Sequence, residues 1–99
     1  MMKKTYENHI ETFKALSDVN RLYIIDLLFS SGETGEMCAS DIKKDMKISQ
    51  PTLSYHMKLL CGCGLVSKRK EGKWVYYSLQ RKELQNLYDF FSFGSPRQA

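Results

Sequence analysis

The spacing of apolar residues changes once along this chain, and that change constrains the fold more than any other feature. Up to Gly64 the apolar residues recur at helical spacing, whereas LVSKRK and KWVYYSL, on either side of Glu71-Gly72, alternate with a period of two. Glycine tolerates the positive φ of a tight hairpin turn. The sequence therefore predicts a mainly α protein in which about residues 65–79 form a two-stranded β-hairpin.

Five helices are predicted around the hairpin. Apolar spacing and capping residues place them at about residues 4–15, 18–29, 39–46, 50–61 and 82–91. Ser17 or Asp18 can accept hydrogen bonds at the start of the second helix, and Ser49 followed by Pro51 is typical of the start of the fourth. The polar segment SSGETGE is predicted to be a loop. The apolar positions expected on the second helix are Leu22, Ile25 and Leu28, with Val19, Ile24 and Phe29 beside them.

Length and composition favour one soluble domain, residues 1–99. No apolar run approaches the roughly 18 residues of a membrane span, and the N-terminus lacks the apolar stretch of a signal peptide. We therefore expect a cytoplasmic protein without a membrane partner, whose three cysteines are free thiols. No Ser-His-Asp arrangement or phosphate-binding glycine loop is present in the sequence, so an enzyme is not expected.

The positive charge of the chain is concentrated in its middle. Fifteen Lys and Arg against eleven Asp and Glu give a net charge of +4, which alone favours a polyanionic partner only weakly. Between Lys43 and Lys73, however, eight cations are opposed only by Asp45 and Glu71. In an arbitrary small protein such a run is usually a solvated face. Here it lies on a helix-turn-helix, about residues 39–61, and on the hairpin, an order that predicts a winged helix-turn-helix that binds DNA.

Candidate DNA contacts lie on the fourth helix and the hairpin. In this architecture the second helix of the pair enters the major groove and the hairpin, or wing, lies along the backbone or minor groove. Gln can pair with adenine, Ser and Thr with base edges or phosphates, and Lys with phosphates. His56 flanks the apolar stripe and is expected to be packed or bonded to phosphate. The predicted contacts are Gln50, Thr52, Ser54, Tyr55 and Lys58 on the helix and Lys68, Arg69, Lys70 and Lys73 on the wing.

Four segments together resemble the ArsR (ArsR/SmtB) family of bacterial transcriptional repressors, and its arsenical-responsive members most closely. They are FKALSDVNRLYIIDLL, EMCASDI, ISQPTLSYHMKLL and GLVSKRKEGKWVYYSL, and they span about Phe13 to Leu79. The resemblance implies a homodimer joined through its first and last helices. It also implies a two-fold symmetric operator in double-stranded DNA, from which an inducer releases the protein.

The apolar faces of the first and last helices agree with such a dimer, since they exceed what a core of this size needs. The alternative is that both faces fold into a monomeric core. A symmetric dimer would present two recognition helices roughly 34 Å apart and require an inverted repeat. A further alternative is a protein-interaction module that keeps the fold without binding DNA. The predicted interface residues are Tyr6, Ile10, Phe13, Leu84, Leu87, Tyr88 and Phe91.

The cysteines allow three hypotheses. Arsenic-sensing members of the family carry Cys-x-Cys where this chain has Cys38-Ala39-Ser40, so Cys38 matches the first ligand and Ser40 replaces the second. Trivalent arsenic and antimony prefer thiolate, and Cys61 and Cys63 could complete a three-sulfur site within one subunit or across two. The second hypothesis is thiol oxidation as the signal. The third is a ligand-independent regulator in which the cysteines only pack as small apolar residues.

Overall fold

The computed structural model describes the backbone of residues 2–92 and the side chains of residues 7 and 9–91. In chain order the elements are α1 (Met2–Leu16), α2 (Val19–Phe29), β1 (Glu36–Cys38), α3 (Ala39–Met46), α4 (Gln50–Gly62), β2 (Val66–Glu71), β3 (Trp74–Leu79) and α5 (Arg81–Ser92). This order confirms the predicted mainly α, winged helix-turn-helix fold. Among the described helices, none is long and apolar enough to cross a bilayer.

Capping side chains fix the starts of α2 and α4. The carboxylate of Asp18 accepts hydrogen bonds from two backbone N–H groups in the first turn of α2, at 2.9 and 3.1 Å. The hydroxyl of Ser49 accepts one from the backbone N–H of Thr52 at 3.4 Å, and Pro51 lies in the first turn of α4. Both predicted caps are confirmed, and the second one fixes where the recognition helix of the helix-turn-helix begins.

The sheet has three strands, one more than the sequence predicts. β2 and β3 form the expected antiparallel hairpin, and β1 pairs antiparallel with the other edge of β3. Glu36, in the segment predicted to be a loop, is the first residue of β1 and lies opposite Ser78. A strand of three residues is too short for its alternation to be recognised in the sequence.

The hairpin turn is one residue later than predicted. Glu71 pairs with Trp74, so the turn consists of Gly72 and Lys73 rather than Glu71 and Gly72. Gly72 adopts the positive φ, +63°, that the tight turn requires. Lys73 is therefore at the tip of the wing, and Glu71 is within β2.

The core lies between the helices and the inner face of the sheet, and α2 presents a different face to it than predicted. Val19 and Leu22 are 76% and 51% exposed, whereas Arg21 is buried on the same side of α2 as Ile24 and Leu28. Hydropathy places an arginine outside, but a buried guanidinium is tolerated where partners surround it. The largest fully buried side chains are Ile24, Leu28, Ile42, Leu53, Met57, Leu60 and Leu65.

Candidate nucleic-acid interface

The helix α4 has one buried face and one exposed polar face. Leu53, Met57 and Leu60, the predicted apolar stripe, are buried in the core. On the exposed face Nε2 of Gln50 donates a hydrogen bond to the hydroxyl of Ser54 at 2.8 Å, which orients the Gln50 amide. This is the orientation of α4 that the sequence predicts. The exposed residues are Gln50, Thr52, Ser54, Tyr55 and Lys58.

A cleft with a volume of about 220 Å³ lies between α4 and the wing. Its lining includes Ser54 and Lys58 from α4, Lys68 from β2 and the thiol-bearing Cys61. Burial raises the pKa of Cys61, which keeps this thiol protonated. The two lysines approach one space from two elements, so the positive potential there is greater than either residue alone would provide.

The remaining wing cations do not share one face. Side chains alternate along a strand, so Lys68 and Lys70 lie on one face of β2 and Arg69 on the other. Lys73 lies in the turn, with its ammonium 5.8 Å from the centre of the Trp74 ring. The sequence groups the four cations as backbone contacts, whereas the structure separates Arg69 from Lys68 and Lys70.

Arg69 is held by two carboxylates. Its Nε and Nη2 donate to Glu36 at 3.3 and 3.0 Å, and Nη1 donates to Glu71 at 2.8 Å. The guanidinium lies 4.4 Å from the centre of the Tyr76 ring, and the hydroxyl of Ser78 donates to Glu36 at 2.9 Å. The hydrogen bonds from Arg69 and then Ser78 lower the pKa of Glu36, and those to both carboxylates raise the pKa of Arg69. These side chains connect β1 to the wing.

A second arginine, missed by the sequence reasoning, joins three helices. Arg21 is 8% exposed; its Nε donates to the carbonyl oxygen of Ala15 at 2.6 Å, and its Nη1 lies 3.0 Å from Nδ1 of His56, which is 6% exposed. Because a guanidinium only donates, Nδ1 must accept and the ring proton is on Nε2. The carboxylate of Asp18 is 3.9 Å from the same Nδ1, too far for a hydrogen bond. His56 is therefore packed, as predicted, and it connects α4 to the α1–α2 junction.

The three cysteines lie in different surroundings. The Sγ of Cys38 is 3.4 Å from the hydroxyl of Ser40, whereas the thiol of Cys63 donates to the carbonyl oxygen of Leu60 at 3.4 Å. Cys61 lines the cleft beside the wing. Within the described part of the chain, no three His, Cys, Asp or Glu side chains form a group that could hold a metal ion. The three-sulfur site within one subunit is thus not formed in this structure.

The predicted dimer residues divide into two groups. Leu87 is buried and Leu84 packs against the core, so both contribute to their own chain. Phe13 is half-buried, with its ring centre 5.7 Å from that of Phe91, and the side chain of Tyr6 lies outside the described residues. The apolar side chains that remain exposed are Ile10, Tyr88 and Phe91.

A helix-turn-helix with an exposed polar second helix, followed by a basic hairpin across a cleft, defines a winged helix-turn-helix domain of the kind that binds DNA. Residues 18–68 match the family described as bacterial regulatory protein, arsR family. The chain belongs to this family and is a regulator of transcription rather than an enzyme.

Relatives and solved structures agree with this assignment. The chain is 41% identical to an uncharacterized HTH-type transcriptional regulator of Methanocaldococcus jannaschii, over 85% of this chain and 94% of that protein. It is also 41% identical to an arsenical resistance operon repressor of Staphylococcus aureus, over 84% of this chain and 76% of the repressor. Its fold matches HlyU from Vibrio cholerae with a TM-score of 0.74 at 27% identity, covering 89% of this chain and 91% of HlyU. The homodimeric winged helix-turn-helix DNA-binding domain of a Mycobacterium bovis protein matches with a TM-score of 0.73 at 26% identity, over 90% and 79% of the two chains.

Proposed function

We propose that this chain represses transcription as a homodimer bound to an inverted-repeat operator in double-stranded DNA. The observation that carries the proposal is the cleft in which Lys58 of the recognition helix and Lys68 of the wing face a common space beside the exposed polar face of α4. In this arrangement Gln50 contacts base edges in the major groove, with Thr52, Ser54 and Tyr55 beside it. The proposed phosphate contacts are Lys58, Lys68, Lys70 and Lys73.

The homodimer is supported by the apolar surface that the chain leaves exposed. Ile10 on α1 is 45% exposed and Phe91 on α5 is 57% exposed. The Mycobacterium bovis domain with the same fold is homodimeric. Two copies related by a two-fold axis would hold their α4 helices roughly 34 Å apart, which matches two half-sites one DNA turn apart. Since its partner is DNA, we place the protein in the cytoplasm.

Fluorescence anisotropy on DNA from the chain's own promoter, measured at several salt concentrations, tests this function. Lys58→Ala should weaken binding to every sequence and reduce the salt slope by about 0.9 for each phosphate that the lysine neutralises in the wild type. Gln50→Ala should instead relax the preference at one base pair, by roughly tenfold. Lys82→Ala removes the same charge from an exposed position on α5 and is the matched control. A wild-type protein without sequence preference would contradict the proposal and favour a protein-interaction module.

We infer that trivalent arsenic or antimony, bound through Cys38, is the inducer. Several relatives are arsenical resistance operon repressors. The contact of 3.4 Å between Cys38 Sγ and the Ser40 hydroxyl places the residue that replaces the second thiol beside the first one. A hydroxyl is a poor ligand for a soft ion, so the second thiolate would come from the partner copy or the site would bind weakly.

Release of operator DNA by arsenite tests the inducer. Cys38→Ser should abolish release, and Ser40→Cys should shift it to lower arsenite concentration because a second thiolate is restored. Release that is unchanged in Cys38→Ser would contradict a role for this thiol. If peroxide but not arsenite releases the DNA, and dithiothreitol restores binding, thiol oxidation is the signal.

A further inference from the structure

The contacts of Arg69 support an inference that goes beyond DNA binding and rests on the proposed function. We propose that Arg69 is a positioning residue. Paired with Glu36, it holds the wing against β1 in the orientation in which Lys68 and Lys70 meet DNA, and it does not itself contact phosphate. Neither its position in the basic hairpin nor its charge would indicate this role.

The donors of Arg69 are already engaged. All three guanidinium nitrogens donate to carboxylates, two of them to the same Glu36 side chain. Bidentate pairs of this kind are stronger and more directional than ordinary hydrogen bonds. Together Arg69, Glu36 and Glu71 carry a formal charge of −1, so a phosphate approaching this group would meet two competing anions.

The strand register places Arg69 away from the cleft. Cys38, Tyr76 and Arg69 occupy one row across β1, β3 and β2, on the face opposite to Lys68. Lys68 lines the cleft with α4, and its cross-strand neighbour Tyr77 is buried. A single strand cannot direct adjacent side chains to one surface, so the lysines and Arg69 cannot contact the same DNA backbone in the same way.

The Arg69–Glu36 pair joins strands that are not neighbours. β1 and β2 each pair with β3 but not with each other, and Arg69 reaches Glu36 across the ring of Tyr76. A two-stranded hairpin is marginally stable on its own. The β1 strand leads directly into α3, whose first residue is Ala39. The pair therefore connects the wing to the helix-turn-helix at a point far from the turn that joins β2 and β3.

Glu36→Gln tests this role because the two explanations predict opposite signs. If Arg69 contacts phosphate, removing a competing anion frees it and tightens operator binding. If Arg69 positions the wing, the same substitution weakens operator binding, by roughly two- to fivefold given the modest strength of exposed pairs. Glu33→Gln, an exposed acid in the loop before β1, removes the same charge without touching Arg69 and is the matched control.

The salt dependence and a charge exchange provide two further measurements. Arg69→Ala should weaken binding without changing the salt slope, whereas Lys70→Ala should reduce the slope by about 0.9. Exchanging the charges, Glu36→Arg with Arg69→Glu, should restore most of the affinity that either single change removes. General loss of structure would not produce this rescue. Tighter binding by Glu36→Gln, or an Arg69→Ala slope equal to that of Lys70→Ala, would overturn the inference.

Amide hydrogen exchange separates failure of the inference from failure of the proposed function, because it needs no DNA. The amides of β2 and β3 should exchange faster in Glu36→Gln and Arg69→Ala than in the wild type, and not in Glu33→Gln. Unchanged exchange in both variants would overturn the positioning role even if the protein binds its operator. A wild-type protein that binds no DNA would contradict the proposed function alone, while faster exchange would still support the Arg69–Glu36 contact between wing and β1.

Discussion

Two arginines join elements of this molecule, one in its interior and one at its surface. Arg21 is buried among α1, α2 and α4, and its partners are a backbone carbonyl and a neutral imidazole nitrogen. The side chain of Arg69 is 49% exposed and its partners are carboxylates. The stronger Coulomb attraction belongs to Arg69, but water and salt screen it.

Burial, more than the charge of the partner, decides what each contact contributes. Removing a guanidinium from water is costly, so Arg21 depends on every acceptor it has. Arg69 can return to water when its pair opens. We therefore expect the Arg21–His56 contact to contribute mainly to stability and to fix α4 against the α1–α2 junction. The Arg69–Glu36 contact should contribute mainly to the orientation of the wing.

The largest expected effect is that of His56→Leu. This change leaves the buried Arg21 cation without one of its acceptors and should lower the free energy of unfolding by about 3 kcal/mol. His56→Gln is the matched control, because its Oε1 can still accept from Nη1. Urea unfolding at one protein concentration measures both. Equal losses in the two variants would show that shape at position 56, rather than the acceptor, is what stabilises the fold.

The next effect is a recovery of stability. Adding Arg21→Met to His56→Leu removes the cation that has no acceptor at position 56, so the double variant should be more stable than His56→Leu by about 1 kcal/mol. The carbonyl oxygen of Ala15 loses its donor in this variant, which limits the recovery. The same urea series provides the four free energies of a double-mutant cycle. Additive losses would contradict a direct interaction between the two side chains.

Local sequence patterns predict much of this fold. The stripe of Leu53, Met57 and Leu60 identifies the inner face of α4, and Asp18 and Ser49 mark the starts of two helices. These features depend on residues within one or two turns of each other, which is the range over which periodicity and capping act. The exposed polar face of α4 follows from the same stripe.

The two arginine contacts could not be predicted in this way. His56 lies 35 residues from Arg21, and Arg69 lies 33 residues from Glu36, so each pair forms only when separate elements pack together. An arginine on the buried stripe of α2, three residues before Ile24, is a local anomaly that could indicate a buried polar contact. Nothing comparable marks Glu36, because the strand that orients it has only three residues.

A smaller effect is expected in acid, at the end of α2 that carries Arg21. The backbone N–H of Arg21 is the main cause that lowers the pKa of Asp18. A carboxyl whose pKa is lower in the folded state stabilises the fold above its unfolded pKa, about 3.9, and loses that contribution as pH falls through the folded value. Asp18→Asn keeps a capping side chain that does not titrate. The melting temperature of the wild type should therefore fall more steeply than that of Asp18→Asn below about pH 4. Parallel curves would contradict a contribution from the ionised cap.

The smallest effect on stability should be that of Arg69→Ala. Its partners remain hydrated when the guanidinium is removed, so the urea midpoint should stay within error of the wild-type value, at low salt and at high salt. His56→Leu, measured in parallel, shows how far the midpoint falls in the same assay when a buried hydrogen bond is removed. If Arg69→Ala instead lowers the midpoint as far as His56→Leu does, the wing contact supports the whole fold. Weaker DNA binding by Arg69→Ala could then be attributed to partial unfolding, and only the charge exchange with Glu36 would still distinguish orientation of the wing from loss of structure.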